Sequence, residues 1–147
     1  VITFISNNCD NQVPEFSDFK EEDNLQLNSI SSSVNNLIKM MDLQELNNFI
    51  KLIVNKSFEA NKYINDMQPW SLKKTDKKRM NTVLYVALES IRKISILLYP
   101  IIPSSSEKIF QALNLSKDKI NLKSLKNHNV IKPGTKLNKL DILFKKH

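Results

Sequence analysis

The chain has 147 residues, a length that fits one domain able to bury roughly 70% of its unfolded surface. Hydrophobic residues make up 41% and charged residues 25%, ordinary for a folded chain, and one glycine with five prolines leaves few turn-forming sites for an all-β fold. Helices are therefore expected. The net charge of +7 is unevenly spread: residues 1–60 carry nine acids and four lysines, a balance of −5, while residues 61–147 carry six acids and eighteen bases, a balance of +12. Such polarity points to a polyanionic partner for the later half, although a lysine halo also serves solubility. A single cysteine, Cys9, excludes an internal disulfide and a cysteine metal cluster. No apolar run approaches the ~20 residues of a membrane span, and the first residues do not read as a signal peptide. With no initiator Met, the sequence reads as the interior of a longer polypeptide.

In chain order, Val1 to Ser6 reads as the tail of a helix. Asn7 to Lys20 has the turn-favouring residues of an irregular connector, with Phe16 and Phe19 available to pin it to the core. A first long helix is predicted from Glu21 to Met41, where Leu27, Ile30, Val34, Leu37, Ile38 and Met41 repeat at helical spacing behind an acidic first turn. A second helix is predicted to start at Asp42, whose spacing to Glu45 is that of a capping box, and to pack against the first as an antiparallel hairpin. Its seam is Leu46, Ile50, Ile53, Ala60, Ile64 and Met67, interrupted at Ser57. It should stop near Gln68, because Pro69 cannot continue the backbone hydrogen bonding and biases the residue before it away from helical geometry. Thr75 or Asp76 then caps a third helix running to Leu98, with Met80, Val83, Leu84, Ala87, Ile91, Ile94 and Leu98 as its core face. Tyr99, Pro100 and Pro103 end it. Ser104 and Glu107 have capping-box spacing for a short helix to Leu113, with Asn114 as a left-handed terminator. Ile120 to Leu125 suggests a helical turn or two, and Asn127 to His147 an extended tail laid over another surface.

Sites of chemistry are scarce. The sole glycine, Gly134, rules out a Gly-rich phosphate loop. His128 and His147 are far too separated for a two-histidine zinc motif, and Cys9 sits in a polar connector. No cofactor or metal is expected in this chain. What stands out is the Pro69-Trp70 corner, ringed by Lys62, Lys73, Lys74, Lys77, Lys78 and Arg79 with Asp66 and Asp76 opposing. An aromatic among cations suits a single-stranded nucleic acid, the ring stacking a base and the lysines meeting phosphates. A tryptophan plugging the gap between two helices, under a solvated lysine surface, fits the same residues. Asn61 and Asn65, one turn apart beside the corner, read as buried residues tying helix ends to a neighbouring loop.

The run from Ala60 to Pro103, with ANKY, QPW, KTD, LYV and a long apolar helix closing in Pro-Ile-Ile-Pro, resembles the anticodon-binding helical domain of bacterial methionyl-tRNA synthetases. VITFISNNCDNQVP and KPGTKLNKLDILFKK are similar to the segments that precede and close that domain. The resemblance implies an all-α antiparallel bundle of the class Ia synthetase type, truncated at its N-terminal helix and ending in an irregular tail. Residues 1–20 would be helix tail and connector, 21–113 the bundle core, and 114–147 an extension toward a catalytic domain of the same polypeptide.

By that resemblance the partner is the CAU anticodon loop of methionine tRNA, in the cytoplasm and away from membranes. Trp70 would pack on the first anticodon base with Pro69 shaping the surface. Asn61, Lys73 and Lys74 would be supporting RNA contacts. The parent enzyme would join methionine to tRNA using ATP and magnesium, while this chain lacks the HIGH-like and KMSKS-like signatures and should catalyse nothing itself. The family's discriminating Asn and Arg lie upstream of the first residue here, which implies a partly uncovered seam on the second and third helices. The closing LDILFKK also lacks the family's proline before Leu-Phe, and LNKL stands where a glycine is favoured. A helical protein-interaction module, or a nonspecific RNA-binding appended domain, is the alternative reading.

Overall fold

A computed structural model describes residues 1–144. It is built from α1 (Ile2–Asn8), α2 (Glu21–Ser31), α3 (Val34–Asp42), α4 (Leu46–Met67), α5 (Pro69–Thr75), α6 (Lys77–Leu98) and α7 (Pro103–Ala112), followed by 3-10 turns at Lys117–Lys119 and Leu122–Lys126. Among the described residues there is no strand, and a lone bridge pairs Gln12 with Lys136.

The axis of the molecule is α6. Asp76 caps it by accepting the Arg79 backbone N–H at 3.0 Å, and Thr82 to Ser90 are buried without a break. A helix buried on every side cannot show a clean amphipathic stripe. The expected core face is therefore only part of the truth: Ile91, Ile94 and Leu98 are half-buried, while Glu89, Arg92 and Lys93 are fully buried. Around α6 sit α2, α4, α5 and α7. One apolar cluster joins Ile2 and Ile5 of α1 to Met80, Leu84 and Leu88 of α6 and to Leu137 of the tail. A second joins Val34 and Leu37 of α3, Phe49 and Ile53 of α4, Leu97 of α6 and Phe110 of α7. Each such side chain is worth about 1.5–3 kcal/mol of transfer free energy.

Several local expectations are corrected. The first long helix is broken into α2 and α3 at Ser31–Ser33. There the Ser31, Ser32 and Ser33 hydroxyls bond back to Leu27 O and Ser29 O at 3.0–3.3 Å, the competition with backbone pairing that makes serine a poor interior helix residue. Asp42 closes α3 and starts nothing. Gln44 turns left-handed at φ 57° and Glu45 N donates to Met40 O at 2.8 Å, so a C-terminal cap takes the place of the expected capping box. In α4, Leu46 is exposed, while Phe49 and Tyr63, absent from the expected seam, are buried. The Ser57 hydroxyl satisfies itself on Ile53 O at 3.1 Å. The second expected capping box is also absent, because Pro103 takes the first helical position of α7 and Ser104 falls inside the helix. Glu107 instead accepts from the Tyr99 hydroxyl at 3.3 Å. Asn114 is left-handed, at φ 52°.

The ends are tied to the bundle. Phe16 and Phe19 stack on Tyr85, with ring centroids 4.3 and 6.4 Å away, as expected of the connector. The tail lies on the bundle's own surface through Leu137. The Tyr85 hydroxyl donates to Ile131 O at 2.5 Å, Val13 N to Thr135 O at 2.9 Å and Leu137 N to Asn11 O at 2.7 Å. Pro133-Gly134 forms the turn between, and its φ of +80° at Gly134 is the left-handed position that favours glycine. Farther on, Ile142 and Phe144 are exposed, and the candidate His147 lies outside the described residues. No helix described is long and apolar enough to cross a membrane, and the described residues hold no His, Cys, Asp or Glu group suited to a metal ion.

Candidate nucleic-acid interface

The α4–α5 corner follows from three consecutive residues. Met67 ends α4, Gln68 takes the left-handed conformation at φ 48°, ψ 62°, and Pro69 occupies the first position of α5, where its missing N–H costs nothing and its fixed φ already suits a helix. Gln68 O accepts from Ser71 N at 2.9 Å and from Leu72 N at 3.2 Å, closing the first turn. Pro69 and Leu72, three apart, share the inward face: Pro69 is buried, and Leu72 packs with Phe19, Ile64 and Met67 beside Val83 of α6. Trp70, Lys73 and Lys74 have the spacing i, i+3, i+4 and share another face. Trp70 is 47% exposed and both lysines are exposed. That exposure overturns the core-plug reading of the tryptophan.

The basic ring is thinner than the sequence suggests. Lys73, Lys74, Lys77 and Lys78 are exposed. Lys62 is tied to Asp66 at 2.6 Å. Arg79 points inward and is 9% exposed. Asn61 and Asn65 are exposed, not buried, because the inward stripe of α4 runs through Ala60 and Tyr63. With Gln68 they form a solvent-facing polar line at spacings of four and three residues, Asn61 lying about 10 Å up α4 from the corner.

Beneath the corner is a network that sequence reasoning missed. The fully buried Asp23 carboxylate accepts from the Tyr63 hydroxyl at 2.6 Å, from two Arg79 nitrogens at 2.5 and 2.9 Å, and from Lys20 N at 2.9 Å. It joins the first turn of α2 to α4 and α6, and Arg79 also reaches Met67 Sδ at 3.5 Å, at the last residue of α4. Burial pushes the Asp23 carboxyl up, but its bonds to Arg79, Tyr63 and Lys20 outweigh that and hold it below the usual carboxylate range. Burial, then Asp23, pushes the Tyr63 phenol up. The acids of an α2 first turn are the ordinary helix-start signature, so only tertiary contact separates Asp23 from its exposed neighbour Glu21.

Fold and corner together define a class: an all-α antiparallel bundle domain with a solvent-facing aromatic on a basic helix corner. Comparison with known proteins narrows it. A family model described as the anticodon binding domain of methionyl tRNA ligase matches residues 13–147, and the chain belongs to that family. It is similar to the methionine–tRNA ligase of Rickettsia typhi, 32% identical over 99% of this chain and 29% of the relative. It is also similar to that of Brucella suis, 37% identical over 80% of this chain and 23% of the relative. A crystal structure of the apo form of Mycobacterium tuberculosis methionyl-tRNA synthetase superposes with a TM-score of 0.92 at 25% identity, covering 99% of this chain and 30% of that one. The chain thus spans less than a third of the length of these proteins.

Proposed function

We propose that this chain is the tRNA-recognition domain of a methionine–tRNA ligase, and that its α4–α5 corner receives the CAU anticodon loop of methionine tRNA. The observation that supports this most directly is Trp70, half-exposed at the corner with Lys73 and Lys74 one turn away on the same helix face. An unpaired loop base splayed onto an indole gains ~1–3 kcal/mol, and exposed ammonium groups supply the phosphate contacts that orient the strand. Pro69 sets the angle at which the indole is presented, and Asn61 offers a polar contact farther up α4. Catalysis belongs to the rest of the parent polypeptide, a cytoplasmic enzyme that uses ATP and magnesium, and the domain itself holds no cofactor.

The indole is its own reporter. Titrating Trp70 fluorescence with a stem-loop carrying CAU should give saturable quenching, weaker with a hairpin changed at the first anticodon base. Absence of quenching by either hairpin, from folded chain at low salt, would refute the reading. Equal quenching by both would retain stacking and refute discrimination by this chain.

A further inference from the structure

A second basic surface lies away from the corner, around the 3-10 turns. Lys119, Lys123, Lys126 and Lys132 line an open cleft of about 700 Å³ together with His128. Asp118 is the one carboxylate among its lining residues and Val130 the one aliphatic side chain. Lys123, Lys126 and Lys132 are exposed, and Asn121, Asn127 and Asn129 add amides between them.

The floor of this cleft is held by buried cations. Arg92, paired to Glu89 at 2.7 Å, donates to Ser124 O at 3.2 Å and to Asn127 O at 3.0 Å. Lys93 Nζ is 2.8 Å from His128 Nδ1, and the other ring nitrogen of His128 lies 3.0 Å from Asn28 Oδ1. Lys93 also donates to Leu27 O and Ser31 Oγ at 3.0 and 2.9 Å, and its hydrogen-bond partners include no carboxylate. The backbone that displays the lysines is therefore anchored at several points, with an ammonium unmatched by any bonded carboxylate directly beneath it.

The lining decides the kind of partner. A protein interface has an apolar or aromatic centre, which this cleft lacks. Interfaces with nucleic acid are polar and strongly positive, as the lining of this cleft is. Lysine, a mobile point charge, suits phosphate without demanding the planar geometry that arginine imposes. We propose that this cleft is a second RNA contact, binding the phosphodiester backbone without regard to sequence. The contact rests on the tRNA-recognition reading of the chain and extends it. Arg92 lies thirteen residues beyond Arg79 on α6, and Arg79 reaches the last residue of α4 at the corner, so the cleft sits about 20 Å along the helix from the corner. It is a separate site, able to hold a structured hairpin at a distance from its loop.

The test is a salt titration of hairpin affinity, followed by anisotropy of a labelled CAU stem-loop. It compares the unaltered chain, the triple variant Lys123→Gln, Lys126→Gln, Lys132→Gln, the variant Trp70→Ala, and the combination of all four changes. The three lysines are exposed, so circular dichroism should be unchanged. Loss of three phosphate contacts should flatten the log–log salt slope by about 2 and weaken binding about tenfold to a hundredfold at 0.1 M salt, equally for CAU and altered loops. Trp70 quenching at saturation should survive. A triple variant with the slope of the unaltered chain overturns the cleft. If Trp70→Ala binds normally while the triple variant loses affinity, the cleft stands and the corner reading falls. If the unaltered chain binds no hairpin at low salt, both fall.

Discussion

Replacing Asp23 with Asn keeps the shape of the side chain and removes the charge that Arg79 is built around. Asp23 is fully buried and Arg79 nearly so. The other carboxylate near the guanidinium, Glu22 at 3.2 Å, has a side chain 42% exposed and contributes little through solvent screening. Breaking a buried pair by removing one partner leaves an uncompensated charge and costs about 3–5 kcal/mol. Against a total stability of about 5–15 kcal/mol, that is a large fraction. At about 2–4 °C per kcal/mol for a chain of this size, the melting midpoint should fall by about 6–20 °C. Urea unfolding followed by circular dichroism reads the same loss as a lower midpoint at unchanged slope. Substituting both partners, Asp23→Asn with Arg79→Met, should recover part of the loss, because the stranded cation is gone. An Asp23→Asn variant within about 0.5 kcal/mol of the unaltered chain would refute the claim that this network holds α2, α4 and α6 together beneath the corner.

Other outcomes follow from the same geometry. Burial lowers the Lys93 ammonium to about 8, so above that pH the unfolded chain holds the proton that the folded chain has lost. Stability from this group therefore rises with pH, by about 2 kcal/mol between pH 8 and 10. Lys93→Met should abolish that rise in urea melts across the window, and an identical pH profile would refute it. Above pH 10 the trend should reverse, because Tyr63 and Tyr85 are both pushed up by burial and resist ionising in the folded state. Gln68→Gly relieves a left-handed conformation at φ 48° that costs a side chain about 1–2 kcal/mol. Offset by glycine's greater unfolded freedom, it should leave thermal stability within about 1 kcal/mol, and a large loss would mean that the Gln68 side chain, not its backbone, makes the corner. Trp70→Ala removes a half-exposed ring and should lower the melting midpoint by only a few degrees. A collapse of the fold would return Trp70 to the core.

How far the sequence could be read depended on the range of the interactions involved. Pro69 ended α4, Asp76 capped α6, and Asn114 terminated α7 as expected, because each acts through backbone geometry within a turn of itself. The two capping boxes failed for an equally local reason: Asp42 was already committed to the end of α3, and Pro103 displaced Ser104 by one position. Periodicity found most of the core stripes of α2 and α3, though Met41 is exposed, but not the break between them, since three serines that bond their own backbone look like any exposed polar run. On α4 the stripe was placed partly off its true line, missing Phe49 and Tyr63, because α4 packs against α2, α3 and α6 together and burial follows what those neighbours cover.

The sequence by itself determined the all-α class, the place of the corner and the family, since these rest on helix-forming spacing, one proline and a contiguous motif. Tertiary structure alone decided which charges are buried. Arg79 read as one of the cations ringing the corner and Asn61 and Asn65 as buried residues, while nothing local marks Asp23, Glu89, Arg92 or Lys93 for the burial they have. Whether a polar group meets water or a partner is fixed by residues distant in sequence, as Arg79 is from Asp23 by fifty-six positions, and no local pattern encodes that pairing. The same holds for the tail, whose lysines became a cleft because Arg92 and Glu89 fasten its backbone, and Lys93 its His128 ring, to the central helix.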